Sequence, residues 1–143
     1  MKTIALRYNN NFAPEDGTIA EHNKIIEQFG YVWYGKLGRG IALKSSETIL
    51  ENDVPRFLLI NTATKEYFWA YVSEISKYVD DINCIPSYYR DEKEKFGTWF
   101  RVTRIEKTDV KTLEKCVVSR SERPLLEALK SLNPFFTIIY DEG

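Results

Sequence analysis

Hydrophobic and polar positions alternate from Lys2 to Tyr8, with Ile4, Leu6 and Tyr8 on one side and Thr3, Ala5 and Arg7 on the other. That period of two predicts a half-buried strand. Asn9 to Gly17 has loop composition. From Thr18 the period changes. Ile19, His22, Ile25, Ile26 and Phe29 recur at helical spacing, Thr18 and Glu21 fit a capping box, and Gly30 supplies the stop. A strand, Tyr31 to Gly35, follows at once. Lys36 to Gly40 carries two glycines and two cations and reads as a flexible loop. Ser46 to Asn52 reads as a short helix. Arg56 to Ile60 and Glu66 to Ile75 read as a hairpin around the turn-like Asn61–Lys65. Ser76 to Lys95 is a long connection without a clear period, and connections of that length are often functional. Gly97 to Glu106 resumes a strand, with Trp99, Arg101, Thr103 and Ile105 on one face and Phe100, Val102 and Arg104 on the other. Pro124 opens a helix whose apolar side is Leu125, Leu126, Leu129 and Leu132. Phe135 to Tyr140 is the last strand. Five or six strands with two main helices predict an α+β fold: a strongly bent antiparallel or mixed sheet, or a small barrel.

At 143 residues the chain suits one domain, read here as 1–143, and a hydrophobic content of 43% is enough for a core. Net charge is -1. A protein that grips long duplex DNA non-specifically normally shows a basic excess, which is absent here, whereas a nucleotide or one base needs only a few cations. The two cysteines, Cys84 and Cys116, are far apart, and His22 is the only histidine. A Cys/His zinc site is thereby disfavoured and no cofactor is expected. The N-terminal stretch lacks a signal-peptide pattern and no apolar run reaches membrane-spanning length, so the expectation is a cytoplasmic protein without a membrane partner.

Aromatic residues change the picture most. They make up 14% of the chain: three Trp, nine Tyr and eight Phe. Many come as neighbours: Trp33–Tyr34, Phe68–Trp69, Tyr88–Tyr89 and Trp99–Phe100. Neighbours on a strand point to opposite faces, so one can fill a core while the other faces a pocket. Each ring alone also fits plain packing. Together, rings on several strands suit a flat aromatic ligand, since stacking on one base is worth roughly 1–3 kcal/mol. Lys36, Arg39, Arg90 and Arg101 lie near these rings in sequence and could meet a phosphate or a base edge, or simply be solvated. Ser119, in Ser119–Arg120–Ser121, could contact a phosphate, and Ser121 could cap the last helix. Catalytic motifs are thin. No GxSxG, Walker, HExxH or GxGxxG pattern occurs, and the adjacent Asp80–Asp81 could bind a metal, although neighbouring acids in a loop are usually just solvated.

Four segments resemble the PUA-like superfamily, which includes EVE, ASCH and YTH domains: Tyr31-Val32-Trp33-Tyr34-Gly35-Lys36, Tyr67-Phe68-Trp69-Ala70-Tyr71-Val72, Ile85-Pro86-Ser87-Tyr88-Tyr89-Arg90, and Thr98-Trp99-Phe100-Arg101-Val102-Thr103-Arg104-Ile105. The resemblance implies a compact barrel with helices at its ends. It also implies binding, since EVE and YTH domains hold a modified base in an aromatic cage and PUA domains bind RNA.

The expected function is non-enzymatic capture of a nucleotide or modified nucleobase, free or within nucleic acid. The expected ligand-binding residues are Trp33, Tyr34, Lys36, Trp69, Tyr88, Tyr89, Arg90, Trp99, Arg101 and Ser119. At least one tryptophan ring should line a pocket, Ser76–Lys95 should form its lid, and Trp99 and Arg101 should act together from one strand face. The alternatives are a small enzyme acting on a nucleotide or RNA with Glu21, His22 or Lys36 as acid–base groups, and a protein-interaction module with exposed aromatic hot spots.

Overall fold

The computed structural model describes residues 1–143. The strands are β1 (Lys2–Arg7), β2 (Val32–Leu37), β3 (Arg56–Asn61), β4 (Glu66–Ser76), β5 (Phe96–Thr108), β6 (Cys116–Val118) and β7 (Phe135–Tyr140). The helices are α1 (Thr18–Phe29), α2 (Leu43–Leu50), α3 (Val110–Glu114) and α4 (Leu125–Ala128), with 3₁₀ segments at Ile82–Cys84 and Ser87–Lys95. All seven strands form one mixed sheet in the order β2-β5-β4-β3-β1-β7-β6. Only β1 and β3 pair in parallel, and β2 and β6 are left as open edges, so the sheet is not a closed barrel.

The sheet is nevertheless rolled. In a flat sheet β2 and β3 would lie three strand spacings apart, about 14 Å. Yet the Tyr34 ring on β2 is 6.0 Å from Phe57 on β3, and Phe57 is 4.6 Å from Phe100 on β5. Two irregularities produce the bend. Tyr71 pairs with Arg104 but Val72 pairs with Val102, leaving Thr103 unpaired on β5; the next step leaves Ser73 unpaired on β4. Such bulges bend the strand and shift its facing. They also break the expected alternation of β5: Phe100 and Val102 point into the concave core, and beyond the bulge Ile105 packs against the same core.

Three clusters follow from this roll. The concave face collects Ile4, Leu6, Val32, Tyr34, Phe57 and Phe100, among others, with Ile49 of α2 and Ile19, Ile25 and Ile26 of α1 packed against it. The convex face of β1, β3, β4 and β7 buries Leu58, Ile60, Trp69 and Ile138 under α3 and α4. The convex face of β2 and β5 buries Trp33, Phe96 and Trp99 under Cys84 and Ile85.

Several local expectations are corrected. α1 has the expected bounds, and Gly30 ends it in the left-handed conformation with its N–H on the Ile26 carbonyl. No capping box forms, because Thr18 is already helical and Gly17 holds the cap position. The Asn10 side chain accepts from the Thr18 amide instead, and Glu21 pairs with Lys24. α2 begins three residues earlier than expected. The last helix is a single turn, with Leu132 96% exposed beyond it, so α2 and not α4 is the second substantial helix. Its cap position is Pro124, and the Ser121 hydroxyl accepts from the Arg123 amide within the preceding turn. The Lys36–Gly40 segment is pinned rather than loose. Gly38 N–H donates to the Lys95 carbonyl, Ile41 N–H donates to Thr98 Oγ1, and a Cβ on Gly97 would lie 2.3 Å from the Gly38 oxygen.

Candidate functional site

Where the rolled sheet fails to close, the C-terminal half of β1 faces β2 across a cavity of about 400 Å³. That volume suits a small ligand. Its walls are aromatic. Tyr8 comes from the end of β1, Tyr34 from β2, Tyr88 and Tyr89 from the second 3₁₀ segment, Phe96 from the start of β5, and Phe12 from the loop before α1. The rings are mutually braced: Tyr88 to Tyr89 is 4.5 Å, Tyr89 to Phe96 is 4.7 Å, and His22 lies 4.9 Å from Tyr34 and 5.5 Å from Tyr89. Phe12 is 82% exposed, so it stands at the rim.

The polar groups are few and specific. No Asp or Glu lines the cavity; Lys36 and Arg7 do. Arg7 is spent on structure. Its guanidinium donates to the carbonyls of Asn133 (2.7 Å), Leu129 (2.5 Å) and Ser131 (2.5 Å), closing the chain after α4. Lys36 Nζ donates to the Arg39 carbonyl at 2.7 Å and sits 5.4 Å over the Phe135 ring, and burial lowers its pKa. The Asn61 Oδ1 accepts from the Ala63 and Thr64 amides, and its NH₂ faces the Tyr8 phenol. Burial pushes the Tyr8 phenol up to about 12, with Glu66 adding to the effect, and it raises Tyr34, Tyr88 and Tyr89 as well. With Arg7 committed, the cavity offers neutral phenols, the Asn9 and Asn61 amides, two threonine hydroxyls and the Lys36 cation around stacked rings. That set suits a flat, polar-edged ligand.

Of the ten expected ligand-binding residues, Tyr34, Lys36, Tyr88 and Tyr89 are brought together here. The expected tryptophan is not part of this cavity. Trp33, Trp69 and Trp99 are 1%, 4% and 2% exposed and line neither of the two main cavities. Trp33 and Trp99 are sealed by Cys84 and Ile85, and Trp33 Nε1 donates to Asp80 at 2.7 Å. Trp69 lies under the Arg56 guanidinium, 4.4 Å from its ring. Trp99 and Arg101 do share a face, but not a cavity: Arg101 stacks 3.9 Å over Tyr31 and donates to Ser73 on the outside of the sheet. Arg90 is half-buried and lines neither main cavity. Ser119 lines a separate cavity between α2 and β7.

The Ser76–Lys95 connection is less a lid than a wall. Its first half covers Trp33 and Trp99, and its second half delivers Tyr88 and Tyr89. Of the acid–base candidates only Lys36 reaches the cavity. His22 is fully buried; its Nδ1–H donates to the Thr18 carbonyl at 2.7 Å, and burial lowers its pKa to about 4. Tyr8, Phe12, Asn61 and Phe96 were not among the expected residues. Phe12, a large apolar side chain in an otherwise polar loop, was the one visible signal.

A family model described as Pua-like matches residues 4–138. No curated protein and no solved structure matches the chain. No helix is long and apolar enough to cross a membrane.

Proposed function

The chain belongs to the Pua-like family, whose model covers nearly all of it, and from that membership we propose that it is a binding domain capturing a nucleobase, free or within a nucleotide, in the tyrosine-lined cavity. The observation that carries this reading is the convergence of Tyr8, Tyr34, Tyr88, Tyr89 and Phe96 on one acid-free cavity of about 400 Å³. A base buries its π-face against rings and presents donors and acceptors at its edge, and neutral phenols match that edge. A base carrying an added methyl group would gain further apolar contact with the same rings.

The direct test is titration of the protein with individual nucleosides, with unmodified and methylated bases, followed by intrinsic fluorescence and calorimetry. Tyr88 is the ring to remove, because it stands on the 3₁₀ segment and outside the three core clusters. Tyr88→Ala should weaken the best nucleoside at least tenfold, about 1.4 kcal/mol, with the fold intact by circular dichroism. If no nucleoside binds, or if a folded Tyr88→Ala protein binds as well as the parent, the cavity is not a base pocket.

A further inference from the structure

A second cavity, of about 620 Å³, lies between α2 and the β1, β7 and β6 strands. Lys2 of β1, Lys44 of α2 and Arg120 after β6 border it, and no Asp or Glu does. In a chain with 21 acids and 20 Lys and Arg, three cations without one acid is a local excess of a single sign. These cations are also uncommitted, since the ion pairs of the molecule use Lys24, Arg56, Lys95, Arg104 and Lys130. Ser45, Ser119 and Thr137 add hydroxyls to the same wall.

The two cavities are separate but neighbouring along β1. β1 lines both, with Lys2, Thr3 and Ile4 in this one and Leu6, Arg7 and Tyr8 in the tyrosine cavity. The consecutive residues Asn133 and Pro134 line one each. Between them stands the Lys36–Phe135 contact of 5.4 Å: Lys36 belongs to the tyrosine cavity and Phe135 to the cationic one. From Thr3 to Arg7 the strand rises about 13 Å, so the cations extend well beyond a base seated among the tyrosines.

We propose that the α2–β7 cavity is a phosphate subsite, and that the ligand is a single-stranded nucleic acid with one base in the tyrosine cavity and neighbouring phosphodiesters on Lys44, Lys2 and Arg120. This rests on the reading of the tyrosine cavity as a base pocket. The shared chemistry is phosphate, and the terminal phosphates of a free nucleotide are the other source. The strand is favoured because Lys2, Lys44 and Arg120 border a cavity other than the one read as the base pocket. Lys and Arg placed this way fix a backbone without reading its sequence, and a short track does not require a basic protein overall.

The test uses the full chain and a Lys44→Ala/Arg120→Ala double variant, both positions being exposed. The probes are a fluorescein-labelled single-stranded RNA hexamer of mixed sequence and each of the four common nucleoside triphosphates, titrated over about 50 to 200 mM salt. The double variant should melt like the parent, bind the hexamer at least tenfold more weakly, and show a dependence of log affinity on log salt shallower by about 1.4, for two phosphate contacts at ~0.7 each. Unchanged affinity and slope would overturn the subsite. Tighter binding of a triphosphate than of the hexamer, lost in the double variant, would assign the cavity to terminal phosphates and overturn the strand. Tyr88→Ala separates the two readings: it should weaken the hexamer and leave the salt slope unchanged. If it changes nothing while the double variant loses affinity, the phosphate subsite is upheld and the base pocket falls.

Discussion

Gly35 and Trp99 are cross-strand partners on β2 and β5, and the indole lies where a side chain on residue 35 would stand. A Cβ there would be 2.8 Å from Trp99 Cζ3 and 2.5 Å from Phe96 Cδ1. The missing side chain lets both rings lie close over the β2 backbone, and Phe96 then presents its other side to Tyr89 in the tyrosine cavity. Gly35→Ala should therefore act as an overpacking substitution costing about 1–3 kcal/mol. It should also weaken base capture by displacing Phe96. Urea denaturation and nucleoside titration of the same protein check both parts; a variant of parental stability would show that the two rings move aside freely.

Arg101 should be dispensable for capture. Its guanidinium is engaged by Tyr31 and Ser73 on the outer face and lines neither main cavity. Arg101→Ala is expected to cost below about 1 kcal/mol, the scale of an exposed cation–π contact, and to leave nucleoside affinity unchanged. A tenfold loss of affinity in a folded variant would place the ligand on the outer face instead.

The contrast between Trp99 and Tyr89 shows where sequence reading stops. Strand periods, the Gly30 stop and the β3–β4 hairpin are local signals, and they placed most elements within a few residues. Side-chain alternation on β5 was also local, and it correctly set Trp99 opposite in facing to Phe100. Which face becomes a core depends on what covers it. The cover over Trp33 and Trp99 is Cys84–Ile85, in a connection without periodicity. The bulges at Ser73 and Thr103 roll the sheet and bring β2 toward β1, and no residue type at those positions announces them. The tyrosine cavity arises from that long-range closure. Tyr8 and Phe96 are 88 positions apart in the sequence, so their meeting was not legible, whereas the Tyr88–Tyr89 pair was.

Arg7 ties β1 to the segment after α4 through three carbonyls, with Thr62 Oγ1 as a fourth acceptor at 3.3 Å. The forked guanidinium reaches several acceptors at once, which a single ammonium cannot. Arg7→Ala should cost about 1.5–3 kcal/mol, the range for hydrogen bonds from a charged group, and Arg7→Lys should recover less than half of it. Thermal melts of both variants decide this, and full recovery by lysine would show that charge alone matters.

His22 should make the fold acid-sensitive. It is buried, its Nε2 has no partner in the protein, and burial holds its pKa at about 4 against an ordinary value near 6.5. The folded state therefore binds this proton less readily than the unfolded chain. Stability due to the neutral ring is fully present above about pH 6.5 and is lost as pH falls from there toward 4. The loss should approach about 3 kcal/mol, at 1.36 kcal/mol per pKa unit. Urea midpoints measured from pH 7 to 4 for the parent and for His22→Leu check it: the parent should show the steeper fall, and parallel profiles would acquit His22.

The cavity phenols should resist ionisation until the fold opens. Burial raises Tyr34, Tyr88 and Tyr89 and puts Tyr8 at about 12, against an ordinary phenol near 10. A raised acid pKa in the folded state means that the unfolded chain loses these protons first. Their contribution to stability is complete below about pH 10 and is lost as pH rises through the folded values. In a titration followed by tyrosinate absorbance, the signal from these four rings should lag and then appear together with the loss of near-ultraviolet circular dichroism. Urea-unfolded protein should titrate in one step near the ordinary value. A ligand seated among the four rings binds only the folded state, so a saturating nucleoside should move the delayed step to higher pH. If all nine tyrosines ionised together near pH 10 in the folded protein, the cavity would be open to water and hydroxide. The stacked, desolvated pocket on which base capture depends would then be absent.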